Sequence, residues 1–288
     1  MACQRPIQVS QGHGRNKMRD RKYKLTDDTI MVDGHILHRI EAVRDFSDVK
    51  SGDKGGYLES EYNLSHEGNC WVYDDAMAYD ESRVYDDAVL RDKAIICAKA
   101  HAHDKSVLYG QSVVSGLAII EGRSSVYGHS NVNAHAILYD ACRVYDYATV
   151  SGYSILRDNV RVSGHATVTE DAQVLGNTSI TDHAIIYGRS VVHGCIKIGG
   201  HVRILGFSVV SGNGCLSGND VYNSCVVRDY NKDLNRGVIR VKSKDLNCEV
   251  INNNDVLDNC VIIGQADGFD TEEFLRKFNS PFLRTLKH

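Results

Sequence analysis

The sequence predicts an all-β fold in which the chain winds into a triangular β-solenoid with 18 residues per coil. From Val72 the chain divides into 25 consecutive six-residue units without an insertion, the last of which begins at Leu216. The first position is Val, Ile or Leu in 23 units, and the third is Gly or Asp in 22. Proline occurs only as Pro6 and Pro281, outside the repeats.

The six-residue period explains the coil. The aliphatic first position and the small fifth position point to the same side of an extended strand. Gly or Asp between them tolerates the positive φ of a turn. Six residues therefore form one strand and one corner, and three units close a triangle. Neighbouring coils then bond at roughly 4.8 Å, which requires every strand N–H and excludes proline.

Two segments are predicted before the repeats. Residues 1–21 are expected to be a basic, disordered tail, since residues 1–24 carry seven basic residues and one acid. Residues 22–70 are expected to form a small β-hairpin cap, in which Asp33-Gly34 is the two-residue turn. Such a cap would cover the strand edges of the first coil.

Four segments are predicted from the start of the repeats: a hexapeptide-repeat solenoid over 71–227, an insertion over 228–249, a terminal coil over 250–268 and a C-terminal helical cap over 269–288. The six-residue pattern resumes at Val256, which indicates the terminal coil. Asp270 can cap a helix whose apolar face includes Phe274 and Phe278.

The repeat resembles that of the hexapeptide-repeat superfamily, whose fold is the single-stranded left-handed β-helix. The usual Gly comes one place later here, as in Val126-Tyr-Gly-His-Ser and Val144-Tyr-Asp-Tyr-Ala. This variant is similar to hexapeptide-repeat proteins of phages and prophages. The flanks KYKLTDDTIMVDGHILHRI and KGGYLESEYNLSHEGNCWVYDDA are similar to those proteins too.

Columns of side chains follow from the spacing, because residues 18 apart stack in successive coils. One corner carries a predicted histidine column, formed by His129, His165, His183 and His201. An aromatic edge on the same corner is formed by Tyr109, Tyr127, Tyr145 and Tyr147. Imidazoles one coil apart can share a metal or bind an anion when protonated. The alternative is a simple ladder of stacked rings, and no metal is assigned because no carboxylate or cysteine completes a ligand set.

One outward column predicts an apolar face, formed by Ile119, Ile137, Ile155, Val191 and Val209. A stripe this regular is unusual on a solvent-exposed surface. It is interpreted either as an interface, with a second copy in a homo-oligomer such as a trimer or with another protein, or as a surface beneath the cap or the C-terminal helix.

A second outward column predicts a basic face, formed by Arg143, Arg161 and Lys197. It is a candidate site for phosphate or nucleic acid. A solvated edge is the alternative, which the sequence favours because no aromatic platform is seen to interleave with the charges. The corner aspartates Asp74, Asp92, Asp146 and Asp182 are predicted to serve the backbone of their turns and not to catalyse.

Three functions remain open from the sequence. The favoured one is a non-catalytic scaffold that binds an unidentified protein partner or itself, in a phage or prophage setting, with no cofactor. The resemblance also implies an alternative, since many hexapeptide-repeat proteins are trimeric acyltransferases that use a histidine base and bind acyl-CoA between prisms. Binding of nucleic acid by the basic tail is a weaker alternative.

The composition limits the expected partners and cellular location of the protein. Lys and Arg number 33 against 37 Asp and Glu, so the net charge of −4 indicates no general preference for nucleic acid. No apolar run is long enough to cross a bilayer, and no membrane partner is expected. Nine cysteines without a CxxC pair indicate free thiols, and hence a reducing, cytoplasmic location.

Overall fold

The computed structural model describes residues 21–219, 221–223, 226–228, 239–240, 256–258 and 261–263. It confirms the all-β fold: stacked parallel strands form a β-solenoid of about nine coils, without a helix in these ranges. The predicted C-terminal helical cap, the basic tail apart from Arg21, and most of the predicted insertion and terminal coil lie outside the described residues.

The N-terminal segment forms a three-stranded extension of the solenoid. Strand β1 (Tyr23–Val32) pairs antiparallel with β2 (His35–Ala42), which pairs antiparallel with β3 (Lys54–Leu58). The predicted turn is present, with Asp33 at φ 52° and Gly34 at φ 90°. Positive φ at both positions suits a two-residue hairpin that follows the twist of its strands.

The first face of the prism continues this sheet, and we call it the hairpin face. Its strands after β3 are Met77–Ala78, Ile95–Ile96, Val113–Val114, Asn131–Val132, Thr149–Val150, Thr167–Val168, Ile185–Ile186, Arg203–Leu205, Val221–Asn223 and Val256–Asp258. Leu37 and Tyr57 of the cap form a cluster with Met77 and Ile95. The cap therefore packs on the hairpin face and not on the predicted apolar face.

The other two faces are also ladders of parallel strands. The basic face contains Trp71–Val72, Val89–Leu90, Val107–Leu108, Ser125–Val126, Arg143–Val144, Arg161–Val162 and Ser179–Ile180. The apolar face contains Arg83–Val84, His101–Ala102, Ile119–Ile120, Ile137–Leu138, Ile155–Leu156, Gln173–Gly176, Val226–Arg228 and Val261–Ile263, and Ile239–Arg240 pairs antiparallel with the last of these.

Two long strands join the apolar and basic faces. Val191–Ile198 and Val209–Leu216 each run from one face to the other without a break at the corner. A Cβ on Gly194 would lie 2.1 Å from the carbonyl oxygen of Gly212. Only glycine allows the two strands to approach this closely, and the six-residue period did not predict a continuous strand here.

The core follows the repeat. Inward aliphatic residues such as Val126, Val144 and Val162 are fully buried, and each contributes about 1.5–3 kcal/mol relative to an exposed side chain. The small fifth position is buried as well. Ser130 there donates its hydroxyl proton to the carbonyl oxygen of Tyr127 at 2.8 Å, so its polarity is satisfied.

The corner aspartates have the predicted structural role. Asp74, Asp92, Asp146 and Asp182 all have positive φ. Each carboxylate accepts a hydrogen bond from the backbone N–H 18 residues later in the chain, at 3.0, 2.8, 3.1 and 2.7 Å respectively. These aspartates therefore stabilise one corner and bind the next coil to it.

A buried lysine closes the first coil. Lys22 is fully buried, and its Nζ donates to the carbonyl oxygen of Cys70 at 2.7 Å and lies 3.1 Å from the Cys70 Sγ. Burial lowers the pKa of Lys22. The aromatic rings of Tyr23, Phe46 and Trp71 pack beside it and seal the end of the core.

Candidate functional site

Two parallel ring stacks cover one corner, between the basic and hairpin faces. The tyrosine stack consists of Tyr109, Tyr127 and Tyr145, with centroids 4.6 and 4.9 Å apart and planes within 6°. The histidine stack consists of His129, Tyr147, His165, His183 and His201. Its ring centroids are 4.9–5.1 Å apart and its planes lie within 8° of each other. All five rings of the histidine stack are exposed.

The parallel planes restrict what the histidines can bind. A metal ion bonded to an imidazole nitrogen lies close to the plane of that ring, so one ion cannot serve two stacked rings unless a ring turns. In the described part of the chain, groups of three potential ligand atoms within 4.8 Å occur at His35 and at His103 instead. A metal or an anion at the histidine column stays a prediction.

The apolar face has the predicted register. Ile119 pairs with Ile137 and Ile137 with Ile155, and Val191 pairs with Val209 farther along. The three isoleucines are half-buried, while Val209 is only 4% exposed. The face therefore presents a column of aliphatic side chains that Gln173 interrupts between Ile155 and Val191.

The neighbouring corner widens this apolar surface. Leu117 is 45% exposed, Tyr153 61% and Phe207 39%, and all three occupy the same corner position in different coils. The ring of His135 stacks on Tyr153 with centroids 4.3 Å apart. These side chains were not singled out from the sequence, although their spacing in multiples of 18 could have identified them.

The basic face carries charges without counter-ions. Arg143 lies directly beside Arg161 on the neighbouring strand, and Lys197 lies beside Ser179. All three cations are exposed, and none of them forms an ion pair with another described residue. Like charges on adjacent strands destabilise a sheet, so this face favours a bound anion.

Aromatic rings do lie next to the basic face, which corrects the sequence-based argument. Burial raises the pKa of both Tyr109 and Tyr127, and the charge of Arg143 opposes that rise. The tyrosine stack therefore lies within electrostatic range of the Arg143 guanidinium group. This proximity was readable from the sequence, since Arg143 and Tyr145 lie only two residues apart.

A histidine with two carboxylate neighbours lies at the corner between the apolar and basic faces. Nδ1 of His103 is 3.3 Å from a carboxylate oxygen of Asp104, and Nε2 is 3.5 Å from one of Glu121. The His103 ring stacks on Tyr85 at 4.8 Å, and its side chain is 17% exposed. Burial raises the pKa of Glu121. The Tyr85 ring therefore packs on one face of the His103 imidazole, and a carboxylate lies near each of its two nitrogens.

The six-residue period alone did not predict this cluster. Tyr85, His103 and Glu121 follow one another at intervals of 18 residues, so a column at this corner was readable from the spacing. The distances to the carboxylates depend on side-chain conformations, which the period does not determine.

A second histidine cluster joins the hairpin to the solenoid. Nδ1 of His35 is 3.0 Å from Glu59 and Nε2 is 3.3 Å from Asp80. The backbone N–H of Asp80 also donates to Glu59 at 2.6 Å. The hydrogen bond with Glu59 raises the pKa of His35, which favours an imidazolium between two carboxylates.

In the ranges that the structure describes, no helix has the length and apolar character needed to cross a membrane. The described cysteines, Cys70, Cys97, Cys142, Cys195 and Cys215, are all free thiols.

No family model matches the chain. A stretch of 62 residues is 40% identical to an uncharacterized acetyltransferase of Escherichia coli K12, YdcK. The match covers 19% of this chain and 19% of that protein, so the chain spans about a fifth of the length of this curated relative. Coils of 18 residues fit the hexapeptide-repeat β-helix, and the partial similarity to an acetyltransferase supports that superfamily and not the phage-type group.

Proposed function

We propose that the protein is an acyltransferase that uses acyl-CoA as donor and His103 as general base. The partial similarity to an acetyltransferase supports this enzyme alternative over the non-catalytic scaffold that the sequence favoured. The arrangement of His103 between Asp104 and Glu121 carries the proposal. A base oriented by a carboxylate at its second nitrogen is the usual means of activating a hydroxyl or amine.

The geometry assigns a role to each group. The acceptor displaces the Glu121 carboxylate from Nε2 of His103 and transfers its proton to that nitrogen while it attacks the thioester carbonyl carbon. Asp104, at Nδ1, stabilises the imidazolium that forms. The carbonyl then re-forms, the bond to sulfur breaks, and the imidazolium returns a proton to the departing thiolate of CoA.

The location of His103 suits a site between subunits. His101, two residues earlier, belongs to the apolar face and pairs with Ile119. A second copy packed on that face would cover the corner of His103 and exclude water from it. The acyl chain and the pantetheine arm of the donor would then lie between the two prisms.

The test compares two histidine variants. His103→Asn removes the base but keeps a polar side chain, and it should lower kcat for acetyl transfer by about a hundredfold or more. His129→Asn, at an exposed histidine outside the cluster, is the matched control and should retain activity. The measurement is release of free CoA thiol from acetyl-CoA with a panel of amine and hydroxyl acceptors.

Two results would overturn the proposal. One is equal activity of His103→Asn and wild type. The other is failure of the wild-type protein to bind acetyl-CoA or to transfer its acetyl group to any member of the panel.

A scaffold that assembles through the apolar face is the second candidate. It is favoured by the aliphatic column and by the exposed Leu117, Tyr153 and Phe207 beside it. In that case the surface would bind a second copy or another protein without catalysis. The phage-type setting and the cytoplasmic location stay predictions, as does nucleic-acid binding by the tail, which lies outside the described residues.

A further inference from the structure

The tyrosine stack ends abruptly at Tyr145. One face of the Tyr145 ring stacks on Tyr127 with centroids 4.9 Å apart. In the described part of the chain, no ring or cation packs on its other face. The next rung of this column is Ser163, which is 6% exposed and carries no ring. The column of rings therefore ends in a gap at Ser163, next to the outer face of Tyr145.

Small residues continue this gap along the prism. Thr181 and Gly199 follow Ser163 in the same column, and the carboxylate of Asp182 lies beside them, 3.3 Å from the Thr181 hydroxyl. Beside the gap the histidine stack continues without interruption, from His165 through His183 to His201. We call this stretch the groove: small residues form its floor, the imidazoles form its wall, and the Tyr145 ring lies at one end.

A cation without a counter-ion borders the groove. Arg161 lies on the strand Arg161–Val162 and Ser163 follows that strand directly, so the two side chains lie on the same side of the chain about 7 Å apart. Arg161 is exposed and forms no ion pair with a described residue, and Arg143 lies beside it on the neighbouring strand. An anion at this position would relieve the repulsion between the two guanidinium groups.

The nearby carboxylates do not neutralise this cation by contact. Asp146 and Asp182 accept hydrogen bonds from the backbone N–H groups of Gly164 and Gly200, at 3.1 and 2.7 Å. Neither carboxylate forms an ion pair with Arg161 in the described part of the chain. Their negative charge makes the electrostatic potential of the groove less positive. The N–H donors of the Arg161 guanidinium group remain available to a ligand.

We propose that this groove is a nucleotide-binding site, in which a base stacks on Tyr145 and the phosphate is bound by Arg161. A flat heterocycle extends the ring stack at the same spacing as its tyrosine neighbours, and base–tyrosine stacking is favourable for any base. A guanidinium group binds phosphate through two parallel hydrogen bonds. The ligand is either a free nucleotide or the end of a single strand of nucleic acid, since both present this chemistry.

The site is separate from His103, which lies at the opposite edge of the basic face. The inference therefore does not depend on acyl transfer. It also differs from nucleic-acid binding by the N-terminal tail, because it needs only residues of the solenoid.

The decisive variant is Ser163→Tyr. Ser163 occupies the position that Tyr145 and Tyr127 hold in earlier coils, so the backbone at residue 163 can accept a tyrosine. The new ring would complete the stack and occupy the groove. We expect at least a tenfold loss of affinity for adenosine monophosphate, measured by equilibrium dialysis at low salt. Thermal unfolding should show a variant at least as stable as wild type.

A second pair of variants separates stacking from charge. Tyr145→Leu should weaken the binding of adenosine monophosphate and of adenosine alike, whereas Arg161→Gln should weaken only the phosphorylated ligand. Tyr187→Leu is the matched control, because Tyr187 is 44% exposed at a different corner. Its affinity should equal that of wild type.

Two probes distinguish a free nucleotide from the end of a nucleic-acid strand. Saturable binding of adenosine monophosphate identifies a free nucleotide, and binding of only a short oligodeoxyadenylate identifies a strand end. Either result supports the site if Ser163→Tyr abolishes it. Absence of binding by wild type to both probes would overturn the proposal, as would unchanged binding by Ser163→Tyr.

Discussion

At the scale of single residues, the corner aspartates show how one side chain serves two coils. Asp92 has φ 57° and accepts a hydrogen bond from the N–H of Gly110 at 2.8 Å. A left-handed conformation costs most residues about 1–2 kcal/mol, and aspartate tolerates it because its carboxylate bonds locally. The residue type is therefore required both by the turn and by the coil above it.

Substitution at Asp92 should separate these two contributions. Asp92→Ala loses the acceptor and keeps the left-handed strain, so the free energy of unfolding should fall by about 2 kcal/mol. Asp92→Gly loses only the acceptor, and Asp92→Asn loses neither, so their effects should be progressively smaller. Urea unfolding monitored by circular dichroism measures all three. Equal destabilisation by alanine and asparagine would contradict this role of the carboxylate.

Single residues also show where sequence-based prediction succeeded and where it stopped. The period of 18 placed His165 above Tyr147 and Arg161 above Arg143, and the structure has both neighbours. The period could not show that His103 contacts Asp104, because that contact depends on side-chain rotation. It also did not distinguish Gly194, where the strand continues, from the turn glycines, because glycine permits both conformations.

At the scale of elements, the hairpin is joined to the solenoid by apolar packing and by charged contacts, which include an ion pair of Arg39 with Asp75 at 3.0 Å. Leu37 and Tyr57 pack against Met77 and Ile95. At the hairpin turn, His35 lies between the carboxylates of Glu59 and Asp80. The apolar contacts do not change with pH, whereas the contact of His35 depends on its protonation.

The hairpin should therefore loosen as the pH rises. The pKa of His35 is raised in the folded protein, chiefly by the hydrogen bond with Glu59. Its stabilising contribution is fully present below the unfolded pKa of about 6.5 and is lost as the pH rises through the folded value. Amide hydrogen exchange of β1 and β2, corrected for the intrinsic rate, should show lower protection at pH 8 than at pH 6.

His35→Gln is the control for that measurement. The variant keeps a polar side chain but cannot acquire a charge, so protection of the hairpin should no longer change between the two pH values. The same pH-dependence in variant and wild type would assign the effect to another group.

At the scale of the whole molecule, the three faces of the prism differ in chemistry. The hairpin covers the start of one face, the second is basic, and the third carries the column from Ile119 to Val209. Because a rigid prism holds its side chains at fixed intervals, a second prism with the same column can pack along it over several coils. The predicted homotrimer follows from this, and it stays a prediction.

A charge in this column should prevent assembly. Ile137→Lys places an ammonium group among aliphatic neighbours, which an interface without water cannot accommodate at low cost. Native mass spectrometry should show an oligomer for wild type and a monomer for the variant. Thr167→Lys, at the same outward position on the hairpin face, should leave the mass unchanged. A monomeric wild-type protein would rule out this use of the apolar face.

The three-unit coil also determines how the length of such a protein can change. Loss or gain of 18 residues removes or adds one complete turn, and every later side chain remains on its own face. Loss of only six residues keeps the inward aliphatic pattern but turns everything that follows by one third of a circle. Lysines and arginines would then continue the aliphatic column, although the interior would be as well packed as before. Gene duplication and deletion in whole-turn steps can therefore lengthen the surfaces of this molecule, whereas single-unit steps rearrange them.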